Sequence, residues 1–331
     1  MAKISVIGTT SWGTTLAIIA AERSNKVTLL ARTKKDSDSL TSHRQNERFL
    51  PGHKFPENLK ISSSALDLND AEIVILAVPS ATLRGNLQLI KQYLPTDCIL
   101  VSAVKGLEID SGKRMSQLIQ EECPSELHTN ITVLSGPNLA LEIIEGKPTS
   151  TVVASSNMTA ASKVQNTLTG NMFRVYTNND ITGVELGGAL KNIIAIGAGI
   201  CDGLGYGDNT KAAFITRGLA EISRLGLAVG AQPITLSGLA GIGDLIATCS
   251  SKLSRNRHVG QELAKGKTLN EIRASMENVA EGINTTQAAM YLANRLKVEM
   301  PITSFTYKIL FEKMSVKQAI SELMDRAVSP E

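Results

Sequence analysis

The chain has 331 residues, of which 43% are hydrophobic and 20% charged, with a net charge of +3 and a pI near 8.6. That composition is globular, and the length exceeds what one core of ordinary size needs, so two domains are expected. A small, dispersed positive charge with only 4% aromatic residues argues against nucleic acid and is compatible with an anionic small molecule. Cys98, Cys123, Cys201 and Cys249 are far apart and form no C-x-x-C, and the histidines form no H-E-x-x-H. No disulfide framework and no metal site is therefore expected, and a reducing cytoplasm is the expected compartment. The first apolar run is too short for a signal-peptide core, and no window is read as approaching the ~20 apolar residues of a membrane span. No membrane insertion is expected.

The N-terminal half begins with an alternating strand, Lys3 to Ile7, which runs into Gly8-Thr-Thr10-Ser11-Trp12-Gly13. A helical run, Thr14 to Glu22, follows, and then a second apolar strand, Val27 to Ala31. Strand, glycine turn, helix and strand in this order give a glycine fingerprint its meaning, because the helix N-terminus offers free N–H groups to a pyrophosphate. Gly8 and Gly13 occupy the first and third fingerprint positions, but Thr10 stands at the second. Glycine there lets the backbone approach the pyrophosphate, so a threonine is expected to crowd the site or force a water-mediated contact. After the second strand, where an acidic residue would hold a ribose 2′-OH, the chain has Arg32-Thr33-Lys34-Lys35. These cations suit a 2′-phosphate and favour NADP over NAD; a solvated basic turn is the competing reading.

Further buried strands are predicted at Ala71–Pro79, Cys98–Ser102, Ile131–Leu134, Thr151–Ala154 and Phe173–Tyr176, with Ser80 as the N-cap of a helix through Tyr93. Two of them run into polar turns, at Lys105-Gly-Leu-Glu108 and at Ser135-Gly136-Pro-Asn138-Leu-Ala140. The carboxyl ends of strands are where open α/β sheets bind ligands. The pattern predicts a mainly parallel, Rossmann-like α/β domain over residues 1–180.

From about residue 181 to 331 the pattern is helical, with candidates at 183–200, 208–229, 257–265, 268–276, 282–296, 301–313 and 315–327. The first is rich in glycine and holds one cation, Lys191, on a face shared with Gly187, Gly188, Ala195 and Ala198. Each glycine gives up roughly 1 kcal/mol of helix propensity, which makes sense where another backbone or a ligand comes close. A lone lysine on such a face ordinarily snorkels to water; the alternative is a polar cavity. Asp244 and Thr248 are four apart, on one face of a helix starting near Gly243, and Asp244 read alone is an N-cap. Ser254, Arg255, Asn256 and Arg257 form a donor set suited to a phosphate, with an exposed basic turn as the competing reading. Glu281 by itself is ordinary helix-start charge.

Taken together these segments resemble those of the bacterial NAD(P)-dependent glycerol-3-phosphate dehydrogenases, over nearly the whole length. The matching residues are Ser11-Trp-Gly13-Thr14, Lys105-Gly-Leu-Glu108, Ser135-Gly-Pro137, Gly183 to Asn192, Gly207-Asp-Asn209, Gly241-Ile-Gly-Asp-Leu245, Ser254-Arg-Asn256 and Val279-Ala-Glu-Gly282. The resemblance implies a Rossmann-like N-terminal domain and an all-helical C-terminal domain of the 6-phosphogluconate-dehydrogenase-like kind, with the active site in the cleft between them. It implies reduction of dihydroxyacetone phosphate to sn-glycerol 3-phosphate with NAD(P)H, for glycerophospholipid synthesis, in a homodimer. Lys191 matches the family's proton donor, with Lys105 and Asp244 beside it as catalytic residues. Lys105, Gly136, Asn138, Lys191, Asp244, Ser254, Arg255 and Asn256 match its substrate contacts. Gly8, Ser11, Trp12, Gly13, Arg32, Lys105, Ala140, Arg255, Val279 and Glu281 match its cofactor site. Thr10 departs from the family's fingerprint, and Asn138 stands where Ser or Thr is more usual. Two other readings compete: another two-domain NADPH-dependent reductase, of the ketopantoate reductase or β-hydroxyacid dehydrogenase kind, and a non-catalytic NADPH-binding protein.

Overall fold

The structure is a computed structural model and describes residues 1–276 and 279–327. Its contacts divide the chain into two units, Met1–Lys105 with Arg114–Glu185, and Gly106–Lys113 with Leu186–Glu331. The division expected at 180/181 therefore falls five residues later, inside a helix, and the short segment 106–113 belongs with the second unit.

The first unit is built on eight strands: β1 (Lys3–Ile7), β2 (Lys26–Leu30), β3 (Leu59–Ser62), β4 (Ile73–Leu76), β5 (Ile99–Ser102), β6 (Ile131–Ser135), β7 (Thr149–Ala154) and β8 (Phe173–Asn178). Six helices accompany them: α1 (Ser11–Glu22), α2 (Lys34–His43), α3 (Leu83–Ile90), α4 (Met115–Glu122), α5 (Ala140–Ile144) and α6 (Met158–Leu168). The strand order is β3-β2-β1-β4-β5-β6-β7-β8. All neighbours are parallel except β6 and β7. The order reverses between β1 and β4, the switch point at which doubly wound sheets bind nucleotides.

Side chains alternate along each central strand, and both faces are covered. Ile4, Val6, Leu29, Ile73, Ile75 and Val101 enter one core, whereas Ile7, Leu30, Val74, Leu76 and Leu100 enter the other. Two-sided burial is why these strands read as continuous apolar runs rather than alternating ones. Ser80 does not cap a helix as expected. Ser80–Thr82 forms a 3-10 turn, and α3 starts only at Leu83.

The second unit holds the helices that follow: α7 (Ile181–Gly203), α8 (Asp208–Ala228), α9 (Pro233–Leu236), α10 (Asp244–Ser250), α11 (Arg255–Ala264), α12 (Leu269–Ser275), α13 (Glu281–Leu296), α14 (Pro301–Phe311) and α15 (Val316–Met324). The first turn of α7 still belongs to the first unit. There Asp180 accepts the Gly183 N–H at 2.8 Å, and Glu185 accepts bonds from Arg114 at 2.6 Å and from the Ser116 N–H at 2.7 Å. Beyond it α7 lines both cores of the second unit, with Leu186, Leu190 and Ile194 in one and Ile196 and Ile200 in the other.

One expectation is corrected here. An 18-residue stretch within α7 has a mean hydropathy of 1.4, and the 18 residues Pro233–Ser250 have a mean of 1.2, so among the described residues two segments are long and apolar enough to cross a membrane. The apolar stretch of α7 is buried throughout within the protein, the position of a core helix.

Candidate active site

The first unit gathers its candidate residues at the carboxyl ends of its strands. Gly8 follows β1 with φ +109°, and a β-carbon on it would come within 2.7 Å of the Ala77 carbonyl oxygen. A β-carbon on Gly13 would overlap the Gly8 carbonyl, so both fingerprint glycines are required by the close packing of this turn. α1 begins at Ser11 rather than at Thr14 because Thr10 caps it: its hydroxyl accepts the Gly13 N–H at 3.1 Å and donates to the Ala77 carbonyl at 2.9 Å. The N–H groups of Ser11 and Trp12, at the first two helical positions, have no acceptor within the helix. The Trp12 indole packs 6.5 Å from Phe173, and its Nε1 is buried without a hydrogen-bond partner.

Arg32 stands exposed just past β2. Thr33 caps α2, and Lys34, paired with Asp38 at 3.0 Å, and Lys35 occupy its first turn. Helix dipoles disfavour cations at that end, so an anion nearby would suit this turn. The open turn, the unsatisfied amides and the orphaned indole N–H fit a dinucleotide at this edge of the sheet.

Past β5 and β6 lie the remaining candidates of this unit. Lys105 is half-buried and donates to the Gly136 carbonyl at 2.7 Å. Gly136 has φ +150°, and a β-carbon there would come within 3.0 Å of Thr151 Cα. Asn138 Nδ2 donates to Thr151 Oγ1 at 3.0 Å, and that hydroxyl donates to the Ser135 carbonyl at 3.0 Å. Asn138 Oδ1 is buried and unpartnered, so it presents an acceptor. Ala140 opens α5.

In the second unit Lys191 does not snorkel. It is 6% exposed, and its ammonium donates to the Asp244 carboxylate and, at 2.6 Å, to Thr248 Oγ1. Asp244 is 1% exposed, and Thr248 closes the triangle by donating to it at 3.3 Å. Asp244 is the first residue of α10 and is used on Lys191 rather than as an N-cap. A single π-helical turn, Leu239–Gly243, sets its position. That turn sits hard against α7 at Gly187, where a β-carbon would overlap the Ala240 carbonyl. The glycines of α7 are therefore spent on backbone contact, as their cost in helix propensity implied. Thr248 was legible as a neighbour of Asp244 by its i,i+4 spacing, but nothing local joined it to Lys191.

A chain of amides braces the same helix. Asn256 Nδ2 donates to Asn192 Oδ1 at 2.8 Å, and Asn256 Oδ1 accepts the Gly282 N–H at 2.9 Å, linking α7, α11 and the start of α13. Asn256 is thus largely committed inside the protein, with its second amide N–H and a second lone pair on Oδ1 remaining for a substrate. Ser254 caps α11, accepting the Arg257 N–H at 3.2 Å. Arg255 opens α11 with an exposed side chain; the protein around it lowers its pKa from the ordinary value, and the Glu281 carboxylate opposes that shift. It remains a cation at any working pH. Arg257 is turned away from this group, bonded through Nε to Asp202 at 2.5 Å. Val279 is exposed. Among the described residues no group of three or more His, Cys, Asp or Glu is placed to hold a metal ion.

Known proteins match this arrangement along the whole chain. The family model for the NAD-dependent glycerol-3-phosphate dehydrogenase N-terminus matches residues 3–161, and the one for the C-terminus matches residues 180–321. A glycerol-3-phosphate dehydrogenase [NAD(P)+] of Dehalococcoides mccartyi is 50% identical over 326 residues, covering 98% of this chain and 91% of that protein. The crystal structure of a glycerol-3-phosphate dehydrogenase from Coxiella burnetii superimposes with a TM-score of 0.93 at 35% identity, covering 98% of this chain and 99% of that one. A ketopantoate reductase from Ralstonia eutropha, at 14% identity and a TM-score of 0.63 with 96% and 99% covered, shares the fold alone. The chain belongs to the NAD-dependent glycerol-3-phosphate dehydrogenase family of oxidoreductases.

Proposed function

We propose that this chain reduces dihydroxyacetone phosphate to sn-glycerol 3-phosphate, with Lys191 delivering the proton and NADPH preferred over NADH. The observation that carries the reading is the buried Lys191 ammonium held by Asp244 and Thr248. A bound nicotinamide supplies the hydride. Lys191 donates a hydrogen bond to the ketone oxygen as negative charge grows there, and then gives it the proton. Asp244 compensates the buried charge, and Thr248 fixes the direction of the N–H bonds. Arg255, at the start of α11, takes the substrate phosphate, which supplies binding energy away from the reacting carbon. Lys105, Gly136 and Asn138 are the further substrate contacts of this reading. Arg32 meets the 2′-phosphate of NADPH.

The same reading extends to the setting. Four reduced, buried cysteines suit a reducing cytoplasm. A homodimer supplying glycerophospholipid synthesis is the proposed working form, and light scattering on the purified protein measures its mass.

The test follows oxidation of NADPH and NADH at the nicotinamide absorbance with dihydroxyacetone phosphate, for wild type and Lys191→Ala. The expected result is turnover by wild type and a loss of at least ~10³-fold in the variant. Removing the ammonium also breaks the buried ion pair with Asp244, so the comparison is made at a temperature where circular dichroism shows both proteins folded. A variant within about tenfold of wild type would refute the role of Lys191.

A further inference from the structure

Thr10 is the one fingerprint position that departs from glycine, and the structure shows what it does. Its backbone is extended, at φ −67° and ψ 168°, a conformation open to any residue, so glycine is not needed here for the chain to turn. Its hydroxyl accepts the Gly13 N–H and donates to the Ala77 carbonyl just past β4. The amide it takes is the third of the helix, one of the small set that a pyrophosphate would otherwise draw on. We propose that Thr10 makes the dinucleotide loop self-capped: its hydroxyl stands in for a phosphate oxygen on Gly13, holding the empty loop in shape and weakening cofactor affinity.

Two consequences of opposite sign follow. The hydroxyl satisfies an amide and straps the loop to the end of the neighbouring strand, so it stabilises the protein before cofactor arrives. The same hydroxyl must be displaced, or its amide forgone, when the pyrophosphate binds. Ser11 and Trp12 keep their N–H groups for the phosphate, so binding is weakened and not abolished. A glycine relative would show the reverse balance, with a looser empty loop and a tighter complex.

The inference rests on the dinucleotide reading of this loop, and the experiment separates the two. NADPH is titrated by its fluorescence against wild type, Thr10→Gly and Thr10→Ser, and the cofactor-free proteins are melted. Thr10→Gly is expected to bind NADPH about tenfold more tightly, the scale of one recovered hydrogen bond to a charged group. Without cofactor it is expected to melt roughly 2–4 °C lower. Thr10→Ser keeps the hydroxyl and should match wild type in both. Unchanged or weaker binding by Thr10→Gly overturns the inference. Tightening by Thr10→Ser equal to that of Thr10→Gly also overturns it, because the methyl group would then be the obstacle. Absence of NADPH binding by all three proteins removes the dinucleotide reading itself, and the inference with it.

Discussion

Replacing Asp244 by alanine is expected to cost the protein stability and turnover together. The carboxylate is 1% exposed, and it faces a lysine side chain that is itself only 8% exposed. Deleting it leaves a buried ammonium without its counter-charge, with Thr248 Oγ1 at 2.6 Å as a neutral acceptor. Breaking one side of a buried ion pair costs about 3–5 kcal/mol, most of it the penalty of the abandoned charge. At roughly 2–4 °C per kcal/mol for a unit of this size, the melting temperature should fall by roughly 6–20 °C. The assay is scanning calorimetry of wild type, Asp244→Ala, Lys191→Met and the double variant. Because the penalty belongs to the orphaned charge, removing both groups should recover much of the loss, with a coupling of at least ~2 kcal/mol across the cycle. Turnover should fall in Asp244→Ala even at temperatures where it is folded, since the ammonium is then free to rotate away from the position that Asp244 enforces. An Asp244→Ala protein melting within about 2 °C of wild type, or a cycle with no coupling, would show that the pair does not hold this part of the fold.

Three further outcomes are expected. Arg32→Ala should raise the KM for NADPH about tenfold while leaving that for NADH within about twofold, the loss of one charge-assisted phosphate contact; equal changes with both would return the basic turn to plain surface. Gly260→Ala should destabilise by about 1–2 kcal/mol, because its β-carbon would overlap the Ile196 carbonyl and force α11 off α7, a cost only partly offset by better helix propensity; an unchanged melting curve would refute that contact. Hydrogen bonds from Lys265 and Lys267 hold the Glu262 carboxyl at about 2, below its ordinary 4.5, so its contribution is present above 4.5 and is lost as pH falls toward 2. Glu262→Gln should therefore flatten the acid side of the stability curve measured by urea unfolding across that window, and a slope parallel to wild type would refute the assignment.

Much of the sheet was legible because its central strands are buried on both faces. Ile73–Leu76 and Ile99–Ser102 carry apolar side chains to both cores and stand out as unbroken runs. β3, with the sequence LKIS, was missed because it is a short edge strand whose lysine faces out. The reversal of β7 was invisible for a different reason: a strand's direction relative to its neighbour is fixed by connection and packing, and its own residues do not record it. The long helices of the second unit were read to within a few residues, whereas α2, α4, α5 and α6 of the first unit were not among the predicted elements. The segment from α9 to α10 was not, because its glycines break the period at the π-turn that aims Asp244.

The lysine shows where local reasoning stops. Read alone, Lys191 belongs to the class of residues that reach for water, and a pattern of small residues around it does not say otherwise. Its charge is accommodated by a carboxylate 53 residues away in sequence. That carboxylate reaches it because Gly187 lets the Ala240 carbonyl press against α7, while Gly199 admits the Arg257 carbonyl further along the same helix. Each glycine is a weak helix former, and each looks like a defect until the partner backbone is in place. The two anomalies of this helix, too many glycines and one buried cation, therefore have a single cause. Close backbone contact brings neighbouring helices near enough for short polar side chains to reach a lysine inside an apolar core. A helix with alanine at those positions would be the better helix in isolation, but it would hold its neighbours too far away to keep Lys191 charged, buried and aimed.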